Sequence, residues 1–328
     1  MLENNVLRII VGTTASGKER LALECAERLG GEIVSVDSMK VYRRLDVATA
    51  KAGPAERARV RHHCLDLVEP AETFSAADFA AAADAAIADI VGRDRIPVLS
   101  GGTAFYYRAL LEGLFEGPGA DPAVRAELEE RAAREGGEAL HRELAAVDPA
   151  GAEKIHPADI RRLVRALEVA RLTGEAISGR QVQWQSFHSP DREERAAAYF
   201  AAPRHPFVMV RIVRGREDVH RRVRERVGRM AGEGLEMEAR WVYDNQGVVS
   251  RTPLQAVGYK EFFPYFRGEE SREQALEKLC QGTNRLVRSQ DTWFRKFPAV
   301  EISMEPEADV EETADRLVAG VFGGKRGE

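Results

Sequence analysis

Apolar positions along this chain follow two different periods, and the changes from one to the other outline the fold. Val6–Gly12, VLRIIVG, is a continuous apolar run rich in branched side chains, which predicts a buried strand feeding a glycine turn. In the following KERLALECAERLG, Leu21, Cys25 and Leu29 recur on one helical face, and Gly30-Gly31 end the helix. EIVSVDS predicts a second strand ending at Asp37. AADFAAAADAAIADIVGRDR reads as an alanine-rich helix with Asp78, Asp84 and Asp89 on its polar side, and IPVLSGGT (Ile96–Thr103) as a strand entering another glycine turn. Strand, helix, strand, helix, strand predicts an α/β fold of the phosphate-loop type, a parallel sheet covered by helices on both faces.

The period then stays helical from Asp121 to about Leu172, and a strand-like run, FVMVRIV (Phe207–Val213), returns only later, with helices expected from there to the end. The pattern predicts a core made of residues 1–113 and 201–304, interrupted by an all-helical insertion over 114–200. Residues 305–328, acidic and closing on GGKRGE, are expected to be a frayed tail.

Composition adds little until charge is read locally. The 328 residues are 44% hydrophobic and 31% charged, which suits a globular chain, and the net charge of −5 suggests no nucleic acid. Yet Arg211–Arg229 is strongly basic while Val300–Asp315 is strongly acidic, so a phosphate-binding surface is not excluded. Three cysteines far apart point to reduced thiols. No apolar run nears the ~18–20 residues of a membrane helix, and the first residues do not resemble a secretory signal, so a cytoplasmic, monomeric protein without a membrane partner is expected.

The first glycine turn carries the chemistry. Gly12, Thr13, Thr14, Ala15, Ser16, Gly17 and Lys18 make a G-x-x-x-x-G-K loop between a strand and a helix, the context in which backbone N–H groups, a helix N-terminus and a lysine hold phosphate. The next residue is Ser or Thr in such loops, where its hydroxyl ligates Mg²⁺; here it is Glu19. An acid in a first helical turn gains about 0.3–1 kcal/mol from the dipole. Repulsion from a bound diphosphate costs about 4 kcal/mol per charge pair at 4 Å and an effective dielectric near 20. Repulsion therefore wins unless Glu19 turns away, meets an intervening cation, or itself ligates Mg²⁺.

Further motifs resemble, in order and over almost the whole chain, those of the tRNA dimethylallyltransferases (isopentenyl-diphosphate:tRNA transferases). They are GTTASGKE, DSMKVY (Asp37–Tyr42), ATAK (Ala48–Lys51), HHCLDLVEPAETFSAADF (His62–Phe79), PVLSGGTAFYYRALLEGL (Pro97–Leu114), RRLVRALEVARLTG (Arg161–Gly174), QAVGYKEFFPY (Gln255–Tyr265) and TNRLVRSQDTWFR (Thr283–Arg295). The resemblance implies that the loop holds the diphosphate of dimethylallyl diphosphate, with Mg²⁺ as cofactor. It further implies that the exocyclic amine of the adenosine 3′ of the anticodon in tRNA attacks the allylic carbon. By the same resemblance Asp37 is the general base, Thr103 contacts the target nucleotide and Arg222 reaches the diphosphate. Ser38, Met39 and Lys40 line the nucleotide, and Arg125, Arg161, Arg162, Leu163, Val164 and Arg165 meet the anticodon stem, whose target base must leave its stack.

Residue by residue, blander roles compete: a helix cap for Asp37 or Thr103, and a solvated helix charge for Arg222. His62-His63 lacks a third ligand at metal spacing and is set aside as a zinc site. Glu19, Thr13, Lys40, Ala48, Ser100 and Ser289 depart from the family pattern, where Lys40 is commonly Gln and Ser100 commonly apolar. The alternatives are a catalytically impaired tRNA-binding paralogue and a nucleotide-binding, ATP-using phosphate-loop kinase or NTPase.

Overall fold

The computed structural model describes residues 3–114, 117–180, 191, 193–194, 197, 199 and 203–323. Parts of the expected insertion (115–116, 181–190, 192, 195–196, 198, 200), of the expected core (1–2, 201–202) and of the expected tail (324–328) lie outside the described residues.

Six strands, β1 (Leu7–Gly12), β2 (Glu32–Ser35), β3 (His62–His63), β4 (Pro97–Gly101), β5 (Phe207–Val213) and β6 (Val300–Ser303), form one sheet in the order β3-β2-β4-β1-β5-β6. Every pairing is parallel. β1 lies at the centre, with Leu7, Ile9, Ile10 and Val11 fully buried, because helices cover both faces of a parallel sheet. Each such side chain contributes roughly 1.5–3 kcal/mol by leaving water. The register aligns Val11 with Gly101 and Gly12 with Ile212, so the carboxyl ends of β4, β1 and β5 finish level. β2 joins them, Ser35 facing Ser100. Crevices beyond such strand ends are where open α/β sheets bind ligands.

The chain divides into two compact units, one of Met1–Gly113 with Arg195–Glu328 and one of Leu114–Glu194. The second is built on helices Pro122–Glu135, Gly137–Val147 and Ile160–Thr173, whose inner faces bury Leu128, Leu140, Leu144, Leu163, Val164 and Leu167.

The C-terminal region differs from expectation. Val300–Ser303 is a strand at the sheet edge rather than the start of a helical, acidic run. A partly solvated edge strand tolerates charge, which hides its alternation of Val300 and Ile302 with Glu301 and Ser303. Nor is the tail frayed through its described part: Val310–Leu317 is a helix whose Asp309 cap accepts from Glu311 N at 2.8 Å and Glu312 N at 3.2 Å. Ala314, Leu317 and Phe322 are buried with Met304 against Leu21, Ala22 and Cys25 of helix Lys18–Leu29. The acids that suggest a loose tail sit on the outer face, where Glu311 meets Arg20 at 2.8 Å and Asp315 meets Arg28 at 2.6 Å.

Leu317→Ala is therefore expected to cost about 2–5 kcal/mol of unfolding free energy in urea titration, the range for truncating a buried leucine. A change within ~0.5 kcal/mol would mean that the tail adds nothing to the core.

Candidate active site

The loop after β1 wraps because two of its residues take left-handed backbone angles, Ala15 (φ 66°) and Gly17 (φ 90°). Two guanidinium groups grip its carbonyls: Arg222 Nε donates to Ala15 O at 2.8 Å and Arg214 Nε to Ser16 O at 2.7 Å. At Gly17 the requirement for glycine is the backbone angle, since an added Cβ would make only ordinary contact, 3.4 Å from the Arg222 guanidinium. Gln290, from helix Arg272–Phe294, accepts from Thr14 N at 2.7 Å and donates to Gly102 O at 3.0 Å, tying the phosphate loop to the glycine turn after β4. Lys18 is buried at the start of its helix, its Nζ 3.4 Å from Thr13 O. Arg222 thus faces the loop, whereas neighbouring Arg221 is taken by Asp218 and by Glu225, the latter at 2.6 Å.

Glu19 does not turn away into solvent. Its Oε1 lies 3.4 Å from Lys18 Nζ and 3.1 Å from Lys40 Nζ, and the side chain is 40% exposed. Burial would raise its pKa, but Lys18, Lys40 and Arg226 outweigh burial and hold the carboxyl below the usual glutamate range. Burial also lowers the Lys18 pKa, against which Glu19 pulls upward. Two ammonium groups of the protein thus meet the carboxylate. The same geometry speaks against a resident Mg²⁺ on Glu19. A hard divalent ion seeks a shell of oxygens, and here two ammonium groups flank the one carboxylate. Among the described residues no group of three His, Cys, Asp or Glu side chains is placed to hold a metal. His63 instead pairs with Glu32 at 2.6 Å, and His62 Nδ1 lies 2.7 Å from Val60 O.

Asp37 follows the end of β2, half-buried. One oxygen, Oδ1, accepts from Met39 N at 2.9 Å and Lys40 N at 3.4 Å, closing a turn over residues 38–41 rather than capping a helix. Among the described residues Oδ2 receives no hydrogen bond, so one oxygen orients the carboxylate and the other stays available. Thr103 is not a side-chain helix cap, although helix Ala104–Glu112 starts after it. Its Oγ1 accepts from Ser38 N at 3.0 Å and its N donates to Val36 O at 3.2 Å, fastening the Asp37 turn to the glycine turn. A Cβ on Gly101 would sit 1.9 Å from Val36 O, so this close approach requires glycine.

Asp37, Ser38, Lys40, Thr103, Arg222 and the loop therefore converge. Gln290, Arg214 and Arg226 join them, although no motif singles them out. Gln290 lies within the TNRLVRSQDTWFR motif without being given a role there, and the two arginines are visible only as part of the basic run after β5. In the helical unit, Arg125 Nε lies 2.8 Å from Glu168 Oε1 and Arg165 also pairs with that buried carboxylate. Leu163 and Val164 are core residues. Arg161 and Arg162 are exposed, the latter 3.2 Å from Asp159.

Fold and loop together define a phosphate-loop α/β protein whose chain is interrupted by a helical unit. A family model described as IPP transferase matches residues 40–297. The chain is 45% identical to the tRNA dimethylallyltransferase of Anaeromyxobacter dehalogenans, covering 95% of this chain and 98% of that one. It is 44% identical to that of Geobacter metallireducens, covering 90% and 91%. A crystal structure of the tRNA isopentenylpyrophosphate transferase from Bacillus halodurans is similar with a TM-score of 0.67 and 35% identity, over 97% of this chain and 96% of that one. The chain belongs to the tRNA dimethylallyltransferase (IPP transferase) family.

Glu168 supplies a pH test. Burial would raise its pKa, but Arg125, Arg165 and the Asp121 N–H outweigh burial and hold it below its ordinary value of 4.5. A carboxyl with a lowered folded pKa stabilises the fold above the unfolded value, and that stability is lost as pH falls through the folded value. Glu168→Gln is expected to destabilise the protein by about 3 kcal/mol at pH 7, towards the lower end for a broken buried pair because the arginines keep some water. Stability of the variant should also fall less steeply than the native between about pH 5 and 3; parallel pH profiles in thermal melts would refute this account.

Proposed function

We propose that this protein transfers a dimethylallyl group from dimethylallyl diphosphate to the exocyclic N6 amine of the adenosine immediately 3′ of the anticodon in tRNA. The observation that carries the reading is the placement of Asp37. A carboxylate with one oxygen fixed and one free stands at the same strand-end crevice as a lysine-bearing phosphate loop. The N6 nitrogen forms a bond to the allylic carbon as the carbon–oxygen bond to diphosphate breaks, and the amine proton passes to Asp37 Oδ2. A carboxylate suffices for that proton because the amine becomes acidic only as the new bond forms. Loop amides, Lys18 and Arg222 are the groups that would stabilise charge growing on the departing diphosphate. Mg²⁺ belongs in this reading as the counterion of the diphosphate substrate. Of Arg125, Arg161, Arg162 and Arg165, the first and last are held by Glu168 and Arg162 meets Asp159, which leaves exposed Arg161 as the foremost candidate for the RNA backbone.

The test supplies labelled dimethylallyl diphosphate, Mg²⁺ and unmodified tRNA with adenosine 3′ of the anticodon. Label should enter the tRNA with the native protein and about 10²–10⁴-fold more slowly with Asp37→Asn, while tRNA binding is kept. Unchanged labelling by the variant would remove Asp37 from its role, and ATP consumption without labelling would replace the reading with a kinase or NTPase. Arg161→Ala should weaken tRNA binding and flatten the logarithmic salt dependence of affinity by about one unit. An unaltered slope in filter-binding titrations would place the phosphate contact elsewhere.

A further inference from the structure

Two residues far apart in sequence meet at the corner of the phosphate loop. Glu19 occupies the position that in such loops carries a metal-ligating hydroxyl, and the buried Lys40 places its ammonium 3.1 Å from the Glu19 carboxylate. Behind them lies a cavity of about 40 Å³, lined by Glu19, Lys40, Ser35 and Ser100 among others, with room for water. Ser100 Oγ is buried and has no hydrogen-bond partner among the described residues. Glu19, Lys40 and Ser100 are all positions where this chain departs from its family's pattern, and all three line this one cavity. These three departures are thus a single spatial unit, which Thr13, Ala48 and Ser289 do not join.

The charges compensate. Replacing two neutral side chains by an acid and a lysine leaves the local sum unchanged. Lys18 Nζ and Lys40 Nζ lie 3.4 Å and 3.1 Å from the same Glu19 oxygen, so two ammonium groups meet one carboxylate there without a metal. The ammonium lies beside the side chain through which such a loop would otherwise hold a divalent ion.

We propose that Lys40 is a positioning residue for the diphosphate, its ion pair with Glu19 replacing a hydroxyl-bound Mg²⁺ at this loop by a fixed ammonium. The proposal rests on the reading of the loop as a diphosphate site. Lys40 shares the Glu19 carboxylate with Lys18, so that Glu19 neither neutralises Lys18 alone nor meets the anion uncompensated. Diphosphate binding should then depend only weakly on Mg²⁺, and Glu19 should be tolerated only with a cation at position 40.

The experiment is calorimetric titration of inorganic diphosphate into the full-length protein, with EDTA and with excess Mg²⁺. Four proteins are compared: native, Lys40→Gln, Glu19→Thr and the double variant Glu19→Thr/Lys40→Gln. The native protein should bind in EDTA. Lys40→Gln should lose about tenfold or more in EDTA through the uncompensated carboxylate. Glu19→Thr alone should bind tighter than native in EDTA, because it frees both lysines. The double variant should regain affinity over Lys40→Gln chiefly when Mg²⁺ is supplied, a rescue that a purely structural role for Lys40 would not give. Lys40→Arg, which keeps the cation, should stay within a fewfold of native. Additive effects, or the same Mg²⁺ response in native and double variant, would overturn the proposal while leaving the diphosphate site intact. Absence of diphosphate binding in all four folded proteins, with and without Mg²⁺, would overturn both the proposal and the reading beneath it.

Discussion

A loop that turns outside helix and sheet leaves carbonyls without ladder partners, and buried ones must be satisfied by other groups. In this chain that accommodation is made by two guanidinium groups, Arg222 on Ala15 O and Arg214 on Ser16 O. Both come from the segment that leaves β5, and β5 reaches them only because it pairs beside β1 with Gly12 opposite Ile212. Gln290 closes another side by binding Thr14 N and Gly102 O from a helix that arrives late in the chain. The loop's shape is thus a tertiary property. Glycines at its ends permit the conformation, and distant side chains hold it.

That distinction separates the elements that are legible in the sequence from those that are not. β1, β2, β4 and β5 and the helices after them are legible because burial on both faces writes a continuous apolar run, and a half-buried helix writes a 3.6-residue period. The loop is legible because its glycines and lysine are local requirements. β6 is not, since an edge strand with Glu301 and Ser303 carries too weak an alternation to stand out from the acidic stretch around it. Val310–Leu317 is hidden for a related reason. Glu311, Glu312 and Asp315 dominate its composition, while the side chains that anchor the segment, Ala314, Leu317 and Phe322, lie scattered among them and beyond the helix end. Composition averages over a face that structure separates.

The arginines show the same limit at the level of single side chains. Residue type and helical phase place Arg125, Arg161, Arg162 and Arg165 together as candidates for a phosphate backbone. What sorts them is Glu168, fully buried, which claims Arg125 across 43 residues of chain and Arg165 one turn away. In the basic segment after β5 the sorting is done by Asp218, which takes Arg214 at 2.9 Å and also Arg221, while Arg222 beside them reaches the loop. A cation's role depends on which carboxylate it meets first, and that partner is often remote in sequence.

Glu19 and Lys40 carry this argument furthest. Taken position by position, each is a fault in a motif, one at the end of the phosphate loop and one in the DSMKVY segment. In space they form one ion pair beside Lys18 and leave the total charge of the corner where two neutral residues would have left it. Coulomb energy depends on separation in space, so two changes that each oppose phosphate binding or folding alone can be nearly neutral together. Departure from a motif therefore indicates lost chemistry only when the departing residues do not compensate one another, and here the 3.1 Å between Lys40 Nζ and Glu19 Oε1 puts the compensating charges in contact.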